Sequence, residues 1–93
     1  MNRNKLKHAR NKVDKLDQKI FGLIKKRTQI VRYMLRLKKF KREIIDHKRN
    51  NEILKKIKYK SIKNGVDYKI TKRIWKAIIW SYIDFQRRNF RKK

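Results

Sequence analysis

The chain has 93 residues, a formal net charge of +25 at pH 7, no cysteine and no proline. The lack of cysteine excludes disulfides, thiolate metal ligands and a cysteine nucleophile, and the isolated His8 and His47 lack metal-ligand spacing. With only two glycines to interrupt helices, residues 1–93 are expected to form a single small all-α domain.

The first predicted helix covers about residues 4–40 and carries a seam in which apolar residues recur every three or four positions, as in helices packed lengthwise. Arg27 is the one charged residue in this seam, and no acid lies one helical turn away. Its guanidinium is costly to bury alone. We expect it either to extend along the surface or to bind an anion from outside the helix. The seam residues are Leu6, Ala9, Val13, Leu16, Ile20, Leu23, Arg27, Ile30, Met34 and Leu37.

The second predicted helix covers about residues 46–63, after a break somewhere in residues 40–47. Asp46, Arg49 and Asn50 fall on the same side as its apolar residues, so a polar start to the buried face is expected. Asp46 also fits the N-cap position. Gly65 is expected to end the helix in the left-handed conformation. The apolar residues are Ile53, Leu54, Ile57 and Ile62.

The third predicted helix covers about residues 67–90, with Asp67 as its N-cap. It is apolar almost all round, which is typical of a helix in the middle of a bundle. Its stripe through Ile70, Ile74 and Ile78 continues into Tyr82 and Gln86. A buried amide at Gln86 needs hydrogen-bond partners.

Polar groups therefore fall on the predicted buried faces of all three helices. Arg27 and Lys38 are eleven residues apart, which puts them on one face with a rise of about 16 Å. Their long side chains can converge on a small dianion between them. No Ser, Cys or His is placed as a nucleophile or general base, so the pattern favours catalysis by charge placement, without metal or cofactor.

Several short segments, in this order and spacing, resemble the all-helical class of chorismate mutases from Arg10 to Gln86. The matching segments are ARxKVxxLDQKI at 9–20, KKR at 25–27, Lys38, IDxxR at 45–49, NGVD at 64–67 and IIxxYxxxQ at 78–86. The resemblance implies an intertwined homodimer of three-helix chains, one helix long and two shorter. It also implies conversion of chorismate to prephenate in aromatic amino-acid biosynthesis, the shikimate pathway.

The resemblance further implies a role for each matching residue. Lys38 and Gln86 would donate to the ether oxygen of chorismate, and Asp46 would bind its ring hydroxyl. Three arginines would hold the carboxylates, namely Arg10, Arg27 and Arg49. Because Arg10 lies about 25 Å along the helix from Arg27, it is expected to act across the dimer interface, in the partner's site.

Two positions depart from the family pattern. Asn50 stands where the family usually has Glu, and Tyr82 stands where it often has Ser. Tyr82 looks more like the sister enzymes that eliminate pyruvate from isochorismate, whereas Asp46 favours the mutase. We therefore expect a chorismate mutase, with an isochorismate pyruvate-lyase as the alternative.

The charge leaves a third interpretation open, a helical nucleic-acid-binding protein. However, the abundance of Lys, Ile and Asn is also what drift toward A/T-rich codons produces, and the lysines form no basic tail. A nucleic-acid binder also has no reason to place Arg27 in an apolar seam. We expect no specific nucleic-acid partner, no membrane span and a cytoplasmic location.

Overall fold

A computed structural model describes residues 2–91, and the elements formed by these residues are all helical. Helix α1 comprises Arg3–Leu37, a short 3₁₀ helix comprises Lys41–Ile44, and the remaining helices are α2, His47–Lys63, and α3, Tyr68–Asn89. The prediction of an all-α chain with one long and two shorter helices is confirmed. None of the helices formed by residues 2–91 is long and apolar enough to cross a membrane.

The chain divides into two compact units within α1, one ending at Val31 and the other beginning at Arg32. In the amino-terminal unit, Asn2 begins α1, because its Oδ1 accepts from the backbone N–H of Lys5 at 3.1 Å. The apolar seam on this part of α1 is open to solvent. Val13, Leu16 and Ile20 remain 53–56% exposed and Leu23 remains 64% exposed.

The carboxy-terminal unit has its own small core where the last turns of α1 meet α3 and the 3₁₀ helix. Its most buried side chains are Leu35, Ile44, Ile79 and Ile83, with Ile45, Ile53, Leu54 and Phe90 packed against them. Aliphatic burial of this kind is the main stabilising contribution to such a unit. The core thereby joins segments from both ends of the unit's sequence.

The connection between α2 and α3 forms as predicted. Gly65 has φ +67°, the left-handed conformation that a glycine adopts without a Cβ clash. The backbone N–H of Val66 donates to the carbonyl of Ser61 at 2.9 Å. Asp67 caps α3 by accepting from the backbone N–H of Lys69 at 2.9 Å.

A pair of hydroxyl groups, one buried and one half-buried, joins α2 to α3. Ser61 is only 3% exposed, and its Oγ lies 2.7 Å from Oγ1 of Thr71. The Ser61 Oγ also lies 2.6 Å from the carbonyl oxygen of Ile57, to which it donates. Thr71 Oγ1 can then donate to Ser61 or to the carbonyl of Tyr68.

Two sequence expectations need correction. The α-helical part of α1 ends at Leu37 instead of near residue 40. After it, the Glu43 carboxylate accepts hydrogen bonds from the backbone N–H groups of Lys39 and Phe40, and the chain turns into the 3₁₀ helix. In the single chain, helix α3 is covered on one side only, because α2, the 3₁₀ helix and Leu35 of α1 pack against its Ile79–Ile83 face. Ile70, Ile74 and Trp80 keep about half of their surface exposed.

Candidate active site

The Lys38 ammonium and the Gln86 amide come together in the carboxy-terminal unit. Lys38 directly follows the last residue of α1, and Gln86 lies in the last turns of α3. The Nζ of Lys38 donates to Oε1 of Gln86 at 2.6 Å. Gln86 is buried, with 7% of its surface exposed, and Lys38 is half-buried. The expectation that Gln86 is a buried amide with hydrogen-bond partners is confirmed.

The orientation of the Gln86 amide is fixed at both of its ends. Its Oε1 accepts from Lys38, while its Nε2 donates to the backbone carbonyl of Tyr82 at 3.1 Å. An amide nitrogen has two N–H groups and an ammonium has three. One N–H of Gln86 and two of Lys38 therefore remain for other acceptors, on two side chains that are in direct contact.

The surroundings of Lys38 change the pKa of its ammonium group, and this change bears on its use in a binding site. Burial lowers the pKa of Lys38 from its ordinary value, and the nearby carboxylates of Glu43 and Asp46 partly offset this effect. The ammonium is thus incompletely solvated and has unused donors. A desolvated cation of this kind binds an incoming anion or a developing negative charge more strongly than a surface lysine does.

Glu43 supports the position of Lys38, although it was not among the predicted site residues. Its Oε2 accepts from the backbone N–H groups of Lys39 at 2.7 Å and of Phe40 at 2.8 Å, and its own N–H donates to the Phe40 carbonyl. The bond from Phe40, followed by that from Lys39, lowers the pKa of Glu43. This clamp fixes the chain directly after Lys38. The sequence feature that indicates this role is a Glu three residues after the N-cap residue Phe40, as in a capping box.

Asp46, Arg49 and Asn50 lie at the start of α2, but only Asn50 is half-buried. Asp46 Oδ1 caps the helix by accepting from the backbone N–H of Arg49 at 2.9 Å. The Arg49 guanidinium lies 3.8 Å from the carboxylate of Glu52. The expected N-cap role of Asp46 is confirmed, whereas Asp46 and Arg49 are both exposed in the single chain and do not form part of a buried face there.

Tyr82 is half-buried on α3, one turn before Gln86. Its ring meets the ring of Phe85 edge to face, with centroids 6.4 Å apart and planes at 84°. Tyr82 therefore contributes both to the orientation of the Gln86 amide, through its carbonyl, and to the aromatic packing beside it.

Arg10 and Arg27 belong to the amino-terminal unit. Arg10 is exposed, whereas Arg27 is half-buried within the otherwise exposed seam. Next to Arg27, the Thr28 hydroxyl donates to the carbonyl of Ile24 at 2.8 Å. The approach of Arg10 and Arg27 to the Lys38–Gln86 pair stays a prediction from the sequence.

The comparison with known protein families gives a match over most of the chain. Residues 9–87 match the family described as chorismate mutase type II. No curated protein and no solved structure gives a significant match. The matched segment includes Lys38, Gln86 and the other candidate site residues described in this subsection. The chain therefore belongs to the chorismate mutase type II family, a family of isomerases.

Proposed function

We propose that this protein is a chorismate mutase that converts chorismate to prephenate without covalent or metal chemistry. The observation that carries the proposal is the 2.6 Å contact between Lys38 Nζ and Gln86 Oε1. It joins two donors that the family resemblance assigns to one substrate atom, the ether oxygen. Lys38 and Gln86 come from opposite ends of the sequence of the carboxy-terminal unit, and the apolar periodicity of the helices does not by itself predict their contact.

The reaction breaks the ether C–O bond while a new C–C bond forms, and negative charge develops on the ether oxygen. The remaining N–H groups of Lys38 and Gln86 would donate to this oxygen. Because both groups are already ordered by their mutual hydrogen bond, little reorganisation is needed as the charge grows. Binding of the compact substrate conformer, with its reacting carbons already close, would supply the rest of the rate enhancement.

The substrate's other groups would be held by charge. In this proposal Arg27 and Arg49, with Arg10 from a partner chain, bind the two carboxylates, each through the forked geometry that suits a guanidinium. Asp46 receives the ring hydroxyl on its carboxylate, and Asn50 and Tyr82 border the ring. The Arg49–Glu52 contact is exposed and at 3.8 Å, so exchanging it for a substrate carboxylate costs little.

A second copy of the chain is the proposed occupant of the exposed seam on α1. The open residues Val13, Leu16, Ile20 and Leu23 repeat with the spacing of two helices packed lengthwise. Exposed apolar rows of this length are rare on a monomer. Antiparallel pairing of two such helices would carry the Arg10 of one chain toward the middle of the other.

An isochorismate pyruvate-lyase is the alternative, and Tyr82 is the observation that favours it. Its half-buried aromatic ring, packed against Phe85, stands where the family often has a small hydroxyl residue. The two reactions begin from isomeric substrates and differ in their products, so a direct assay separates them.

The test incubates the purified protein with chorismate and, separately, with isochorismate, and identifies the products by chromatography. Prephenate from chorismate supports the proposal. Pyruvate from isochorismate, with chorismate unchanged, supports the lyase. Turnover of neither substrate by a folded dimer would overturn both assignments. A Lys38→Gln variant serves as the control for traces of contaminating enzyme, because it should lose any activity that belongs to this chain.

A further inference from the structure

A cavity of about 370 Å³ in the carboxy-terminal unit lies apart from the Lys38–Gln86 pair. It is formed by the last turns of α1 and by the end of α3 with the residues that follow. Its volume falls within the range of small-molecule sites. Neither Lys38 nor Gln86 lines it. The lining residues are Arg32, Leu35, Arg36, Phe85, Asn89 and Arg91.

The cavity combines an apolar floor with a cationic rim. Leu35, 8% exposed, and the half-buried Phe85 supply the apolar surface. Three guanidinium groups and the Asn89 amide supply the polar groups, and none of the lining residues is acidic. A ligand that satisfies both parts has an apolar ring and a carboxylate.

Two of the arginines lie over aromatic rings. The Cζ of Arg32 lies 5.5 Å from the centroid of the Phe85 ring, and the Cζ of Arg36 lies 5.7 Å from that of Tyr33. Among residues 2–91, the ion pairs do not involve Arg32, Arg36 or Arg91. Stacking orders a guanidinium without using its N–H donors. Less entropy is then lost when an anion binds.

The residue type of the cations at the rim argues against a basic surface that lacks specific anion recognition. Lysines outnumber arginines in the chain, yet the three cations that line the cavity are all arginines. Arginine differs from lysine in offering two parallel donors to one carboxylate. A surface basic only through codon drift would place mainly lysines here.

The cavity also lies away from the surface proposed for the partner chain. On α1, Arg32 is two residues from the seam positions Ile30 and Met34, about 200° around the helix from each. Arg36 is about 200° around the helix from Met34 and about 100° from Leu37, so its side chain points away from the centre of the seam. A second helix packed along the seam would therefore leave this side of α1 open.

We propose that this cavity is a second binding site, which takes a small aromatic carboxylate with its ring on Leu35 and Phe85 and its carboxylate between Arg32 and Arg36. Arg91 and Asn89 close the rim beside it. The site does not depend on the proposed reaction, because it shares no residue with the Lys38–Gln86 pair.

The test is isothermal titration calorimetry of the full chain with 3-phenylpropionate at physiological salt. Two comparison probes separate the elements of recognition: 3-phenylpropanamide keeps the ring without the charge, and inorganic phosphate keeps the charge without the ring. We expect saturable binding of 3-phenylpropionate, with both comparison probes weaker by about tenfold or more.

Four variants locate the binding. Arg32→Gln and Arg36→Gln should each weaken it by about tenfold, since each removes a charge-assisted hydrogen bond. Arg88→Gln is the matched control, because Arg88 lies on the same end of α3 but pairs with Asp84 at 2.8 Å outside the cavity. Lys38→Gln should leave the affinity unchanged.

Three outcomes would overturn the proposal. The first is that 3-phenylpropionate shows no saturable binding. The second is evidence for a nonspecific basic surface. This would be phosphate binding as tightly as 3-phenylpropionate, or Arg88→Gln lowering the affinity for 3-phenylpropionate as much as Arg36→Gln does. The third is loss of binding in Lys38→Gln with no change in Arg36→Gln, which would place the ligand at the Lys38–Gln86 pair.

Discussion

Lys38 and Gln86 are 48 residues apart in the sequence, and their side chains meet at 2.6 Å. The contact does more than join the residue that follows α1 to α3. Together with the bond from Gln86 Nε2 to the Tyr82 carbonyl, it fixes the orientation of the amide beside the ammonium. Gln86 is buried, and burial also lowers the pKa of Lys38.

Replacing Gln86 by Leu should reduce kcat for chorismate by about 100-fold or more, because one preorganised donor to the ether oxygen is lost. The apolar side chain should be tolerated in a site that is 7% exposed, so the helical circular dichroism spectrum should be unchanged. Gln29→Leu, at an exposed position of α1, is the control. Equal kcat values for Gln86→Leu and the control would remove Gln86 from the mechanism.

The activity should fall on the alkaline side at a pH below the ordinary lysine pKa of 10.5. Burial lowers the pKa of Lys38, and the mechanism needs its protonated form, so activity is present below the folded-state pKa and lost above it. The profile of kcat/KM against pH reports this group in the free enzyme.

Glu43→Gln should move this alkaline limb to lower pH, because the carboxylate that favours the ammonium is replaced by a neutral amide. The amide oxygen still accepts from the backbone N–H groups of Lys39 and Phe40, so the fold should be kept. Lys38→Arg should retain a cation and lose the limb. A limb that stays at the same pH in all three proteins would show that another group titrates.

Mixing two inactive variants, Arg10→Ala and Arg49→Ala, should restore activity after the chains exchange. A mixed dimer contains one pocket in which the Arg49 of one chain and the Arg10 of the other are both intact. The assay compares chorismate turnover before and after mixing. If Arg10 serves its own chain, every pocket in the mixture lacks one arginine and no activity returns.

Substituting Lys for Leu16 and Leu23 together should convert a dimer to a monomer. These side chains are 56% and 64% exposed in the single chain, so the change costs the chain little of its own packing. It places charges in the seam that a second copy would cover. Phe21→Lys is the control, because Phe21 is 73% exposed but lies off the seam. Sedimentation equilibrium distinguishes the outcomes; an unchanged mass for the Leu16 and Leu23 variant would mean that the seam is not the interface.

The sequence predicts those parts of the fold that rest on short-range rules. Apolar periodicity predicts three helices, Gly65 ends α2 in the left-handed conformation, and Asp46 and Asp67 cap the helices that follow them. Each of these features depends on residues within one or two turns. Periodicity also places Gln86 on the buried stripe of α3, where an amide needs partners.

The partners of Gln86 and the role of Glu43 depend on structure that periodicity does not describe. Glu43 acts through backbone N–H groups in an irregular connection, and this contact leaves no trace in the apolar pattern. The exposure of residues on α1 and α3 likewise depends on which other segments pack against these helices, and the apolar pattern does not show this. Ile70 and Ile74 have the pattern of core residues and still keep about half of their surface exposed in one chain.

The hydroxyl pair of Ser61 and Thr71 has a consequence for the far end of α3. Because α3 is a continuous helix, the register of Thr71 against α2 also sets the height of Gln86, about 22 Å further along the axis. A slip of α3 by one turn would break the Ser61–Thr71 bond and carry the amide about 5 Å past the Lys38 ammonium. The position of Gln86 relative to Lys38 therefore depends on a contact at the opposite end of α3, between Ser61 and Thr71.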